Sequence, residues 1–280
     1  MAYIGIGVNN SLLTRSGYGL YRDIINALGL PPYTIRVRYP EGIDPRNISA
    51  TTRRGTWTQV SAVPNIWDRT WASPDWSYLF DHDRQIIEVI DANTTGVTNM
   101  DYMFYFTSTL DAGNFSRTVN FDTSAVTTVE EMYGLVQCNQ PLPHYDLHNV
   151  TKFDAFIEGA KFTRARVNVS SAVYLLSAFS TSTLTSLVFE GSSANMRSIS
   201  SMCAGCSNIT KLPTLTSVSN ITNATSAFSG CYRVDSGIYR MYTRLAALDP
   251  VPAHAGTFMG CGYLSPTGSQ ELANIPSSWK

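Results

Sequence analysis

One pair of cysteines has the spacing of metal or redox sites. Cys203 and Cys206 are separated by two residues, which is the spacing of zinc-binding and dithiol redox pairs. No second such pair and no histidine pair follows them, and Cys203 falls on an apolar position of a repeated pattern. Because a free cysteine behaves as a small buried hydrophobe, we predict that Cys206, Cys231 and Cys261 form a column in the core.

Two stretches rich in Asp and His could hold a metal ion or a general acid. His144, Asp146 and His148 alternate as they would on one face of a strand, which suits a divalent cation but leaves a fourth ligand missing. Residues 81–84, Asp-His-Asp-Arg, could supply a general acid or base, but acids are also favoured where a helix begins, and a helix is predicted over 86–90. We interpret both stretches as polar structure and expect no catalytic residue, no metal and no cofactor.

A cluster of tryptophans is the candidate for contact with a ligand. Four of the five tryptophans lie between residues 57 and 76. Clustered rings can form a platform on which sugars stack, but a small β domain also needs bulky residues for its core. Trp67, Trp71 and Trp76 are therefore the predicted ligand-binding residues, with burial in the core as the alternative.

Composition excludes several classes of function. Charged residues make up 15% of the chain, and the net charge is −1, so no basic surface for nucleic acid or an anionic membrane is expected. No apolar run approaches the roughly 18 residues that a membrane helix needs. The first residues lack a basic segment followed by an apolar one, so we expect no secretory signal.

The first third of the chain divides into two predicted parts. Residues 1–30 form a lead segment with a strand over 3–8 and a helix over 20–28, which either packs on its own chain or attaches the protein to partners and sister subunits. Residues 31–92 form a small antiparallel β domain, because 33–39 and 56–60 alternate between apolar and polar side chains.

Residues 93–280 carry a repeated pattern with apolar residues at its first, fourth, seventh and eighth places. It is predicted to form short helices, each closed by a glycine with positive φ and each stacked on its neighbours. The mean interval is about 26 residues, within the range of leucine-rich repeats. The predicted fold class is thus α+β: a β domain followed by a solenoid of short helix and strand repeats, whose open end Trp279 covers. The matches begin at Val97, Val126, Val150, Val169, Met196, Ile221 and Pro252.

The repeated pattern resembles the BspA-type leucine-rich repeats, including the class first noted in mycoplasma surface lipoproteins. The block from Pro31 to Phe80 resembles a module that precedes such repeats in proteins of gut Bacteroides and their phages. Together these resemblances imply a non-enzymatic adhesion, recognition or structural protein.

The expected absence of a secretory signal favours a phage virion component, of tail-fibre or head-fibre type, over a bacterial surface protein. The expected partners are other virion proteins through residues 1–30, a host surface glycan or protein through the repeat face or its loops, and further copies of the chain in a homo-oligomer. Three alternatives stay open: a bacterial cell-surface adhesin, a purely structural virion part, and a glycan-acting enzyme with paired carboxylates.

Overall fold

The computed structural model describes residues 30–48, 55–60, 65–107 and 121–280. The predicted attachment segment 1–30, with its strand and helix, lies outside the described residues except for Leu30. Within these described ranges, the strands are β1 (Thr34–Arg38), β2 (Thr56–Gln59), β3 (Ile66–Thr70), β4 (Glu88–Asn93), β5 (Arg164–Asn168) and β6 (Ser186–Glu190). The α-helices of the described residues are α1 (Ile238–Ala246) and α2 (Pro266–Ala273).

Strands β1 to β4 form one antiparallel sheet in the order β2-β3-β1-β4. The strands predicted over 33–39 and 56–60 are present as β1 and β2. Ile35 and Val37 of β1 are fully buried, and Arg36 pairs with Asp68 of the neighbouring strand. Ile35 and Val37 lie on the same face of the strand, so their burial in the core fixes the register of β1 in this sheet.

The helix predicted over 86–90 is wrong. Residues 88–90 belong to β4, which pairs with β1, and residues 86 and 87 precede that strand. Asp83 resembles a helix N-cap because its carboxylate accepts hydrogen bonds from the amides of Gln85 and Ile86. An Asp can close a simple turn in the same way, and here the chain continues as a strand.

Beyond the sheet, the chain is built from nine-residue turn units. Position 1 of each unit is joined to position 1 of the next by a single parallel β-bridge. The backbone has positive φ at positions 4 and 8, as at Tyr102 (57°) and Phe106 (55°). In the second unit, the amides of Met100, Tyr102, Phe104 and Phe106 donate to carbonyl groups of the third. The described units span 75–83, 99–107, 128–136, 152–160, 174–182, 198–206, 223–231 and 253–261.

The predicted fold class, with its leucine-rich-repeat solenoid of short helix and strand repeats, is wrong. The described chain is mostly turn and coil, with two small sheets and two short α-helices. An α-helix needs φ near about −60° at every residue. The positive φ at positions 4 and 8 interrupts each apparent helical turn and directs those amides to the next unit instead.

The sequence pattern also misplaces two units and misses one. The other matches begin two residues before their unit, whereas the match at Val169 begins five residues before Tyr174 and the match at Pro252 begins one residue before Ala253. The first unit, 75–83, was missed because Ser73 occupies the place where an apolar residue was required.

Columns of equivalent side chains fill the interior of the turn units. At position 6, the rings of Phe80, Phe104 and Tyr133 stack at centroid distances of 5.5 Å. Such ring pairs contribute about 0.5–1.5 kcal/mol each beyond area burial. At position 9, Cys206, Cys231 and Cys261 lie at equivalent places and are free and buried, which confirms the predicted column of thiols.

Both ends of the series of units are covered by other parts of the chain. At the first unit, the Arg69 guanidinium donates to the carbonyl of Leu79, and Trp71 Nε1 donates to the carbonyl of Asp75 over 2.8 Å. At the last unit, the amide of Phe258 donates to the carbonyl of Trp279 over 2.9 Å, so Trp279 takes the place of a further unit. These contacts give hydrogen-bond partners to backbone groups at both ends of the series that no neighbouring unit could reach.

The rest of the structure consists of connections between units. Strands β5 and β6 pair in parallel, and α1 and α2 contact each other. One continuous hydrophobic core extends from Ile35 to Trp279, so the sheet and the turn units share it. The division into domains 31–92 and 93–280 stays a prediction. Among the described residues, no helix is both long and apolar enough to span a membrane.

Candidate recognition surface

The three tryptophans predicted to bind a ligand do not lie on one open surface. Trp76 is fully buried at position 2 of the first unit, and Trp67 is buried in the sheet. Trp71 is half-buried, and its indole nitrogen donates to the carbonyl of Asp75. Their role as ligand contacts stays a prediction, and their packing is that of core residues.

A different set of aromatic side chains lies on the outside of the first two units. Tyr78 and Tyr102 stack nearly parallel, with centroids 4.7 Å apart and planes 7° apart. Tyr105 packs edge-on against Tyr102 at 5.7 Å. His82 packs against both Tyr105 and Phe106 at 5.4 Å. We call these five side chains the tyrosine face.

The backbone of the turn units sets the orientation of these rings. Tyr78 and Tyr102 occupy position 4 of consecutive units, and His82 and Phe106 occupy position 8. All four have positive φ, between 55° and 58°. Tyr78 is 38% exposed, and the others are half-buried or exposed. Successive units therefore repeat the same side-chain direction, which brings the rings into contact.

Carboxylates surround the tyrosine face. Glu130 and Glu131 both lie close to the Tyr102 hydroxyl, which donates to them over 3.4 and 3.3 Å. Asp101 accepts hydrogen bonds from the amide of Glu130 and from the Thr128 hydroxyl. Two further acids follow in the fourth unit, at positions 3 and 7: Asp154 and Glu158.

The charge of these groups is reflected in their pKa values. Burial raises the pKa of Asp101, and the charge of Glu130 raises it further. Burial also raises the pKa of Glu131, and neighbouring carboxylates such as Glu158 raise it further. Burial and the charge of Glu131 raise the pKa of the Tyr102 phenol. The surface therefore combines aromatic rings with mutually repelling negative charges.

The polar stretches singled out in the sequence do not converge on a metal site. His144 pairs with Glu190 over 2.8 Å, whereas His148 pairs with Asp146. The segment 141–147 is not a strand, so the predicted alternating face is absent there. Within the described ranges, no group of three or more His, Cys, Asp or Glu side chains could hold a metal ion.

The stretch 81–84 is divided between surface and interior. The Asp83 carboxylate is buried and accepts a hydrogen bond from the Tyr39 hydroxyl over 2.5 Å, while His82 points outward beside Asp81. Burial raises the pKa of Asp83. Asp83 thus connects the sheet to the first turn unit, and His82 belongs to the tyrosine face.

The Cys203 and Cys206 pair also belongs to the interior. Both thiols are fully buried, and Cys206 Sγ donates to the carbonyl of Phe179 over 2.9 Å. Burial raises the pKa of Cys231 and Cys261 in the same core, whereas the hydrogen bond with Cys203 lowers the pKa of Cys206. All of these thiols lie in the core, away from solvent.

The tyrosine face was missed in the sequence because the repeated pattern was defined by its apolar positions. Its signal lies at positions 4 and 8, where later units carry small residues such as Ser201 and Gly205. A tyrosine, phenylalanine or glutamate at such a place costs about 1 kcal/mol or more of backbone strain. Bulky residues at these positions are therefore the feature that points to the surface.

Comparison with known proteins gives one match. The family model described as "Mycoplasma protein of unknown function, DUF285" matches residues 65–170, which include the first turn units and the tyrosine face. The match covers less than half of the 280 residues. No curated protein and no solved structure matches the chain. Residues 65–170 are thus similar to a mycoplasma protein family whose description carries no activity.

Proposed function

We propose that this chain is a non-enzymatic recognition protein of a phage particle, which contacts a host surface molecule through the tyrosine face. The observation that carries the proposal is the set of bulky residues with positive φ, including Tyr78, Tyr102 and Glu131, on the outside of the first three units. Strained backbone conformations are retained where they serve a function, and tyrosine is enriched in binding surfaces.

The proposal that the chain belongs to a phage particle rests on the sequence resemblances. We also propose that the chain is related to BspA-type proteins. Residues 1–30 would attach the chain to other virion proteins or to sister subunits. The turn units would then act as a rigid scaffold that presents side chains to the host. Recognition sites are commonly placed on such rigid scaffolds.

Immunogold microscopy on a lysate of the producing culture tests the location. An antibody raised against the full chain is expected to label discrete particles, at a fibre or tail tip. Label confined to cell envelopes would contradict the virion assignment and support a bacterial adhesin.

Competition for adsorption tests the recognition role. The purified full chain, added in excess to host cells, is expected to reduce adsorption of the same phage by at least tenfold. Particle label without any reduction in adsorption would contradict recognition and leave a purely structural virion component.

A further inference from the structure

Among the residues that the structure describes, the carboxylates that the second, third and fourth units place near the tyrosine face have no Lys or Arg partner. In the part of the chain that the structure describes, Asp101, Glu130 and Glu131 form no ion pair with Lys or Arg, and neither do Asp154 and Glu158. The whole chain has a net charge of only −1, so this negative charge is local. A partner that contacts the face must therefore bring positive charge to it.

The rings restrict the kind of cation. Tyr78 and Tyr102 present a stacked pair, and the Tyr105 ring extends the aromatic surface over Gly134. A side chain at Gly134 would come within 2.9 Å of Tyr105 Cδ2. A planar guanidinium can stack on such rings and donate in parallel to a carboxylate, whereas an ammonium group is compact and more strongly hydrated.

The molecule already contains one example of this contact. The Arg84 guanidinium lies 4.2 Å from the ring centroid of Phe106, at one side of the tyrosine face. A guanidinium is therefore accommodated against a ring of this face. The Tyr102 hydroxyl donates to Glu130 and Glu131, and the Tyr78 ring stacks on Tyr102.

We propose that the tyrosine face binds arginine side chains in a basic segment of a partner protein, each guanidinium stacking on a tyrosine ring and pairing with an adjacent carboxylate. The inference rests on the proposed function, which places the contact with a partner on the tyrosine face. It adds that the partner contributes arginine side chains to this contact.

Fluorescence anisotropy with two labelled synthetic peptides tests the inference. One peptide alternates three arginines with glycines, and the other replaces each arginine by lysine, so that their charges are equal. The full chain at about 0.1 M salt is expected to bind the arginine peptide at least about fivefold more tightly. Equal binding of the two peptides, or no binding of either, would overturn the inference.

Variants locate the binding. Tyr102→Ser is expected to abolish the preference for arginine, whereas Tyr102→Phe, which keeps the ring, retains most of it. The double variant Glu131→Gln with Glu158→Gln is expected to weaken the binding of both peptides by a similar factor. Tyr263→Ser is the matched control, since Tyr263 is 69% exposed near the last unit. An unchanged arginine preference in Tyr102→Ser would place the binding elsewhere and overturn the inference.

The two proposals fail in different ways. If the chain blocks phage adsorption but does not prefer the arginine peptide, the inference about the partner is wrong and recognition stands. If Tyr102→Ser loses the arginine preference but the chain does not affect adsorption, the partner chemistry is supported and the host-recognition role is wrong.

Discussion

The first three turn units and the later five share a backbone but differ in the side chains at the two positions with positive φ. In the first three, positions 4 and 8 carry large or charged residues, such as Tyr102 and Phe106. In the later units the same positions carry glycine, serine, threonine or alanine, as at Ser201 and Gly205. At position 8, four of the five later units carry glycine, which adopts positive φ without strain. At position 4, the alanine and serine residues of the later units bear a backbone cost like that of Tyr102, so the units differ there in the size and charge of the side chain.

This difference shows that folding does not determine the side chain at position 4. The hydrogen bonds between units do not depend on the side chain at position 4, since Tyr102 and Ser201 donate the same kind of bond through their amides. Folding therefore does not explain a tyrosine at this position. The proposed role of the tyrosine face in recognition would explain it.

The largest expected effect concerns the core at position 6. Phe104→Ala is expected to lower the free energy of unfolding by about 3–5 kcal/mol, because the ring is fully buried between Phe80 and Tyr133. Cys203→Ala, at the same position of a later unit, is expected to cost about 1 kcal/mol. Urea denaturation measures both. Equal losses would contradict the expectation that the stacked ring at position 6 contributes more to stability than the smaller thiol at the same position.

A smaller effect of opposite sign is expected at position 4. Glu131 has φ of 49° and lies among other carboxylates. Glu131→Gly is therefore expected to raise the free energy of unfolding by about 1 kcal/mol, because glycine adopts positive φ without strain. Ser201→Gly (φ 53°) is the matched control in a later unit, without the charge repulsion. A clear destabilisation by Glu131→Gly would contradict the idea that the first units are strained.

The smallest effect is a pH dependence confined to the first units. The pKa values of Asp101 and Glu131 are raised by burial and by neighbouring carboxylates, including Glu130 and Glu158. A raised pKa in the folded state means that the folded chain binds the proton more tightly. Stability should therefore decrease as the pH rises from the ordinary pKa of a carboxyl group through the raised value.

Urea denaturation over a pH series measures this slope. The double variant Asp101→Asn with Glu131→Gln should show a flatter profile than the unmodified chain. The free energy of unfolding of the double variant is subtracted from that of the unmodified chain at each pH. A difference that increases with pH across the same window would contradict the raised pKa values.

Part of this organisation could be read from the sequence. The alternation in β1 and β2, the buried column at Cys206, Cys231 and Cys261, and the recurrence of apolar residues all correspond to features of the structure. These features follow from burial, which leaves a direct periodic signal.

The backbone conformation of the units could not be read in the same way. Apolar residues spaced by three and four favour a helix, and only φ distinguishes a helix from the turn unit. A glycine at position 8, as in Gly205 and Gly230, indicated positive φ in the later units. Tyr102 and Phe106 concealed the same conformation in the second unit, because large residues rarely adopt it. The candidate surface was hidden for that reason.

The most direct test replaces the position-4 residues of the first three units by serine, which several later units carry at that position. The variant Tyr78→Ser, Tyr102→Ser and Glu131→Ser places at position 4 the residue found at Ser177, Ser201 and Ser226. The full-length triple variant is added in excess to host cells, and adsorption of the phage is measured. Thermal unfolding checks that the variant is folded. We predict a folded protein that no longer blocks adsorption. A folded variant that blocks adsorption as well as the unmodified chain would contradict the central claim that the first three units carry recognition.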